Sequence, residues 1–524
     1  MKKYWPIILV FLISLLSVSL FLYKLTSSPP CLNADEATNG YDAYSILKTG
    51  KDQYGNFLPL RFESFGDYKL PLLTYIAIPF IKIFGLNEFG IRMVNFPFVF
   101  FFPIVVYLLT KELFNKKSVS LLAAFLATFS PGLQLLGRQA HEGYMTAFFL
   151  TLSFYLFLKF LKKQTLLNFL IFILNFSLTL FGYHSSRLWA GFFILIFIYL
   201  IIKKKIKLFY ILGVLAVILI FGISDLTNSP TRLQNLLFFK NIGFSLKINE
   251  LRAEGGNRLF YNKLTIGIKD LIFEYLKYFS PQFLVINGDE NHRFGFSGVS
   301  PVTTIEYLFL FIGLYFLFKN KEKQRFLILS MVLFSPVSAF LSWNGVSITR
   351  SIFIFIPILM ITSYGIISLL KKKSLGVILL FIICYLFFVF YSWDFYLNHY
   401  PKRPTVIRGW QCGYKELLDY VKTNYNGFDK FYVTKKNGQP YIFFLFYLKY
   451  PPALYQKTAQ LTPPDEYGFG QVESFDKFVF NLPKEEVKNS VVIGFPDDFS
   501  AIEKPSLKEI KSGNETIFLI KEVK

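Results

Sequence analysis

The sequence predicts an all-α polytopic membrane bundle of about eleven transmembrane helices, followed by a C-terminal α/β domain outside the membrane. Three observations carry that prediction. Hydrophobic residues make up 53% of the 524 and charged ones only 17%, where soluble domains carry roughly a quarter. The mean hydropathy is +0.43 and Phe alone occurs 65 times, more apolar surface than a water-soluble core absorbs. Finally, the net charge of +22 is gathered into short Lys/Arg clusters between apolar runs, the pattern that orients membrane helices rather than one that binds nucleic acid.

A helix needs about 20 residues at ~1.5 Å each to cross ~30 Å of hydrocarbon. Runs of that character lie at 4–23, 93–110, 118–136, 144–161, 166–182, 188–203, 208–224, 302–318, 326–342, 352–370 and 375–393. The first opens with Lys2 and Lys3 like a signal peptide, but Ser27-Ser28-Pro29-Pro30 is a poor cleavage site and more spans follow, so it reads as a retained anchor. The stretch 70–84 is apolar yet carries Pro71, Pro79 and Lys82. Lysine clusters at 111–117, 162–163, 203–207, 319–325 and 371–373 occupy every second connection, and they share the cytoplasm with Lys2 and Lys3 only if 70–84 does not cross. That stretch is therefore expected to be a juxtamembrane or re-entrant helix. The topology makes an integral protein of the plasma (inner) membrane, with its N-terminus cytoplasmic and its C-terminus outside. Residues 1–393 form the membrane domain, with outer loops 24–92 and 225–301, and 394–524 form the extracytoplasmic domain.

After Trp393 the composition shifts towards Asp, Glu, Pro and Gly. Strands are expected at 431–434, 490–494 and 516–520 and helices at 413–424 and 439–449, hence a small α/β domain. No 20–50-residue repeat is present, which argues against a solenoid. Three cysteines exclude a disulfide-rich scaffold; Cys31 and Cys412 both fall outside in this topology and can pair in an oxidising compartment, whereas Cys384 lies within a span.

The inner connections are short and Lys-rich; the outer ones hold the residues able to do chemistry. Asp35-Glu36 lies about a dozen residues beyond the first span. Two adjacent carboxylates near a bilayer are electrostatically costly, although a solvated pair capping a helix is the ordinary alternative. Phe65-Gly66-Asp67-Tyr68-Lys69-Leu70-Pro71 places a carboxylate two residues from a lysine, suited to metal or phosphate or simply a surface ion pair. Arg92, Arg138, Arg187 and Arg350 all map to outer helix ends. One such arginine is an interfacial anchor; four beside acidic pairs fit an anionic partner, because guanidinium forks match phosphate oxygens. Glu142 follows His141, and the long loop adds His292 beside Asp289-Glu290, as structural groups or as metal or phosphate ligands.

Asp35-Glu36, then Asp67-Tyr68-Lys69-Leu70-Pro71, Gly85-Leu86-Asn87-Glu88-Phe89-Gly90-Ile91-Arg92 and Gly137-Arg138-Gln139-Ala140-His141-Glu142-Gly143 resemble the GT-C superfamily of membrane glycosyltransferases. The resemblance is to the branch of protein O-mannosyltransferases and lipid A aminoarabinose transferases, over residues 1–190 by motif and beyond by layout. It implies transfer of a sugar from a polyprenyl-phosphate carrier to an acceptor glycan, lipid or protein at the outer face, with inversion and without a nucleotide cofactor. Asp35 and Glu36 would be the catalytic pair, Asp35 taking the acceptor proton. Lys69, Arg92, Arg138, Arg187 and Arg350 would bind the donor phosphate. Asp67, Glu142 and His292 would serve acceptor or metal. A Glu/His metal site is suggested by the aminoarabinose branch, but its Glu-Lys-Pro stands here as Asp67-Tyr68-Lys69-Leu70-Pro71. The Trp-Trp-Asp-Tyr-Gly run of oligosaccharyltransferases is missing from the sequence. A transporter or flippase is a rival, disfavoured because the spans are clean Phe/Leu/Ile without internal repeats; a polymerase of lipid-linked glycans is a closer one.

Overall fold

The computed structural model describes residues 4–65, 67–228, 242–295, 300–342, 345–371, 373–436, 438–463, 472–499 and 507–524. They form two compact units cut differently from the linear division at residue 393. The first unit comprises Met1–Tyr23, Asn95–Gly137 and Glu142–Tyr396; the second comprises Lys24–Val94, Arg138–His141 and Leu397–Lys524.

All eleven expected runs contain helix. By length and apolarity, six described helices can cross a membrane: Trp5–Leu22, Glu88–Phe114, Glu142–Lys162, His184–Ile202, Ile348–Leu370 and Leu375–Lys402. A seventh is the pair Lys117–Phe129 and Pro131–Gly137, bent by 55°. The bend has a local cause: Pro131 supplies no N–H, and Gln134 Nε2 donates to the Thr128 carbonyl at 2.9 Å. The helices at Leu166–Gly182, Phe209–Leu219 and Arg325–Phe340 are apolar but shorter, as is Leu72–Phe84.

Two devices pack the first unit. Where helices Thr304–Lys319 and Phe355–Leu370 cross, a Cβ on Gly313 would sit 2.1 Å from the Ile361 carbonyl oxygen, and one on Gly365 2.6 Å from that of Phe309. Only glycine permits that approach, and in lipid close packing replaces the hydrophobic drive. Elsewhere phenylalanine rings interlock: Phe193 meets Phe154, Phe157, Phe172 and Phe176 at centroid distances of 5.1, 5.4, 5.3 and 4.9 Å.

In the second unit, a seven-stranded sheet has the order β4-β5-β6-β3-β7-β9-β8 among the described residues. Its strands are β3 (Lys430–Val433), β4 (Gln460–Leu461), β5 (Val472–Phe475), β6 (Phe478–Val479), β7 (Ser490–Gly494), β8 (Lys508–Ser512) and β9 (Glu515–Val523). β3 runs parallel to β6 and β7, and β9 returns antiparallel to β7. Helices Tyr414–Asn424 and Pro440–Tyr447 bury Leu417, Leu418, Val421 and Phe443, with Tyr414 stacked on Phe443 at 4.1 Å. The expected strands and helices of the tail are all present.

Residues 24–94 contribute the helix Ala34–Thr49, the hairpin β1 (Phe62–Ser64) and β2 (Asp67–Lys69), the helix Leu72–Phe84 and the turn of helix Glu88–Arg92. The Ala34–Thr49 helix lies against Pro440–Tyr447 closely enough that a Cβ on Gly40 would come within 2.6 Å of the Phe446 ring.

Candidate active site

The acidic pair owes its position to helix capping. The Asn33 side chain accepts the Glu36 N–H at 3.0 Å, starting a helix whose first turn holds Asp35 and Glu36. Acids there are favoured by the helix dipole and by unpaired N–H groups. Helix geometry then turns the two adjacent carboxylates to different neighbours.

Asp35 remains accessible, its side chain 41% exposed, with Lys69 Nζ 3.0 Å from Oδ1. The β1–β2 register sets Lys69 opposite Phe62 and brings it to this position at the hairpin's end. Glu36 is enclosed, its side chain 1% exposed. Arg92 donates Nε to Oε1 and Nη2 to Oε2, both at 3.2 Å, and the Ala140 N–H reaches Oε1 at 2.9 Å. Arg92 also donates Nη1 to the Leu25 and Pro29 carbonyls at 2.7 and 3.1 Å, and Nη2 to that of Cys31 at 2.6 Å. Its five N–H groups are thus committed inside the protein. Arg138 is equally buried, with Nε and Nη2 donating to the Ser28 carbonyl at 3.0 and 2.8 Å.

Local sequence explains why Arg92 turns inward. Gly85 adopts φ +80°, and Asn87 caps the next helix by accepting the Gly90 N–H at 2.8 Å. A Cβ on Gly90 would lie 2.2 Å from the Gly85 carbonyl oxygen, so the tight coil needs glycine there. Glu88 meets Lys415 Nζ and the Tyr447 hydroxyl, each at 3.1 Å; burial beside that carboxylate raises the Tyr447 phenol well above its ordinary range. Deeper in the same unit, Asp42 accepts from the Gln53 N–H and Nε2 at 3.0 and 3.3 Å, and burial raises its carboxyl well above the usual range.

Asp35, Glu36, Lys69, Arg92 and Arg138 therefore belong to the second unit. Asp67 opens β2, and its side chain lies outside the described residues. Glu142, Arg187, His292 and Arg350 belong to the first unit. There Glu142 starts the helix Glu142–Lys162, Arg187 ends the turn His184–Arg187, and His292 is exposed. Arg350 donates Nη1 to Ser342 Oγ. The Asp289 loop is tied to the same helix start, its carboxylate accepting the Ile348 N–H at 2.7 Å. Burial pushes the Asp289 carboxyl up to about 6 despite that bond and one from the Asn291 N–H. Among the described residues no group of three or more His, Cys, Asp or Glu is arranged to hold a metal ion. The oxygens of Glu36 are already taken by Arg92 and an amide, a poor fit to a ligand set.

Two neighbours of the acidic pair escape sequence reasoning, Trp410 and Gln411, whereas the expected pairing of Cys31 with Cys412 is present. Cys31 and Cys412 are disulfide-bonded, Cα atoms 5.5 Å apart. Gln411 Oε1 accepts the Ala34 N–H at 3.0 Å, and the Arg92 guanidinium carbon lies 5.9 Å from the Trp410 ring centroid. The available signal was the cysteine pair, which places the residues beside Cys412 next to those beside Cys31.

An apolar helical bundle, a capped acidic pair after its first helix and a C-terminal sheet-bearing region are joined in one chain, and this fold has counterparts among solved structures. The structure of ArnT from Cupriavidus metallidurans bound to undecaprenyl phosphate is similar with a TM-score of 0.56, covering 99% of this chain and 98% of that one at 10% identity. The Archaeoglobus fulgidus oligosaccharyltransferase tethered with an acceptor peptide containing the NVT sequon is similar with a TM-score of 0.50 at 14% identity, over 85% of this chain and 63% of that one. In sequence, residues 11–231 match the family model of dolichyl-phosphate-mannose-protein mannosyltransferase. An uncharacterized protein of Aquifex aeolicus (strain VF5) is 27% identical over 230 residues, 42% of this chain and 43% of its own length. The match thus spans less than half of that relative.

Proposed function

We propose that this chain is a membrane glycosyltransferase that moves a sugar from a polyprenyl-phosphate carrier to an acceptor at the outer face of the membrane, inverting the anomeric centre. The observation that carries the reading is the division of labour in the acidic pair: Glu36 is sealed against Arg92, while Asp35 stays accessible beside Lys69. Support comes also from the mannosyltransferase family model and from the likeness to ArnT bound to undecaprenyl phosphate.

In this mechanism the acceptor hydroxyl oxygen bonds to the anomeric carbon as the carbon–oxygen bond to phosphate breaks. The acceptor proton passes to Asp35, and polyprenyl phosphate departs with the electron pair. A carboxylate suffices because proton transfer can lag behind cleavage in an oxocarbenium-like transition state. Lys69, next to Asp35, supplies positive charge to the leaving phosphate. Arg92 and Arg138 are assigned to holding the frame from which Asp35 projects rather than to the phosphate: Arg92 donates to Glu36 and to the Leu25, Pro29 and Cys31 carbonyls, and Arg138 to the Ser28 carbonyl. No step passes through a metal.

The test is the purified chain in sealed proteoliposomes, given labelled polyprenyl-phosphate sugars and a membrane extract as the source of acceptor hydroxyls. Release of free polyprenyl phosphate is expected, with Asp35→Asn lowering it by about 10²- to 10⁴-fold at unchanged protein yield. Movement of the intact lipid without its cleavage would establish a flippase instead, and full activity of the variant would overturn the base assignment.

A further inference from the structure

We propose that Trp410, Gln411 and Cys412 form a bracket by which the C-terminal region positions Asp35, with Gln411 as its positioning residue; this deepens the glycosyltransferase reading and rests on it. A helix leaves its first N–H groups without partners inside the helix. In the Ala34–Thr49 helix, Asn33 takes the Glu36 N–H, and the Ala34 N–H goes to Gln411 Oε1, 377 residues away. The residue before the proposed base, Asp35, is thus anchored by a side chain of the C-terminal region.

Gln411 is itself firmly placed. It follows Trp410, fully buried, whose Nε1 donates to the Tyr400 hydroxyl at 2.8 Å. Gly413, two residues on, has φ +97° and packs where a Cβ would meet Ile517 of β9 at 2.9 Å. The other end of the amide lies so close to Gly438 that a Cβ there would stand 2.4 Å from Nε2. Cys412 then bonds covalently to Cys31, whose carbonyl accepts from Arg92, the partner of Glu36. Two routes, one a hydrogen bond and one a disulfide with its Arg92 relay, therefore run from the sheet's neighbourhood to both residues of the acidic pair. Misplacing a proton acceptor by a fraction of an ångström lowers turnover more than it weakens donor binding.

The test compares Gln411→Ala with Gln411→Glu, which keeps an acceptor oxygen and puts a favourable negative charge at the helix start. Amide hydrogen exchange of peptides covering residues 33–37 and steady-state transfer kinetics are read on the full-length protein in nanodiscs. Gln411→Ala is expected to speed exchange and to lower kcat about tenfold, with KM for the lipid donor within about twofold. Gln411→Glu is expected to restore both readouts, and reduction of the disulfide in the parent to reproduce the Gln411→Ala pattern. Unchanged exchange, unchanged kcat despite faster exchange, or a Gln411→Glu variant as impaired as Gln411→Ala would each overturn the proposal. If the parent itself transfers no sugar, the earlier reading fails, and unchanged exchange in Gln411→Ala still refutes the bracket.

Discussion

Replacing Arg92 by Met and Glu36 by Leu, singly and together, tests whether the buried pair is one energetic unit. Both side chains are essentially inaccessible. Removing Arg92 alone leaves the Glu36 carboxylate buried with the Ala140 N–H beside it and withdraws a donor from the carbonyls of Leu25, Pro29 and Cys31. Stranding one member of a buried pair costs about 3–5 kcal/mol, and each lost carbonyl partner adds about 1. Removing Glu36 alone strands the guanidinium, which keeps its three carbonyl contacts, at a cost of about 3–4 kcal/mol. The double variant strands neither charge, so it should cost no more than Arg92→Met, a coupling of about 3 kcal/mol. Equilibrium unfolding in mixed micelles, followed by tryptophan fluorescence, measures all four corners, with Trp410 a probe next to Arg92. Costs that add to within about 0.5 kcal/mol would refute the coupling and with it the assignment of Arg92 to holding Glu36.

Lys69→Ala should change stability by less than about 1 kcal/mol, because its partner Asp35 is well exposed, while lowering transfer severely; a large stability loss in the same unfolding assay would count against it. Gly90→Ala should cost about 1–3 kcal/mol or more, since the new methyl group would meet a backbone oxygen rather than a movable side chain; an unaltered unfolding midpoint would show that the coil can relax. Asp289 has its carboxyl raised from 3.8 to about 6 in the folded chain, so the folded state holds the proton more tightly than the unfolded one. Its contribution is most favourable below pH ~4 and is lost as pH rises through about 6, a change of at most about 3 kcal/mol. Asp289→Asn should flatten that part of the stability profile, and thermal midpoints between pH 4 and 7 read it.

Much of the architecture is legible because lipid imposes a simple code: long apolar runs, with lysines at alternate connections, are hard to mistake. The strands at 431, 490 and 516 are equally visible from their β-branched and aromatic alternation. Two-residue strands such as β4 and β6 carry no period to detect, and they exist only through their partners in the sheet. At the site, Asp35-Glu36 is conspicuous, but sequence treats its two acids and the outer arginines as equivalent. What separates Glu36 from Asp35 is the direction each takes from the first helical turn, and what occupies Arg92 is a set of backbone carbonyls. Carbonyls have no signature in sequence, so a buried structural arginine and a phosphate-binding one look alike until the chain is folded.

The Cys31–Cys412 bond closes a covalent ring that takes in most of the membrane-spanning helices, its ends 381 residues apart in sequence. A protease that cuts any loop inside that ring converts one chain into two without releasing either. On a gel without reductant such nicked molecules stay joined as a single species, and a reducing gel reveals the damage. Preparations of this protein judged intact only under oxidising conditions would therefore conceal broken loops.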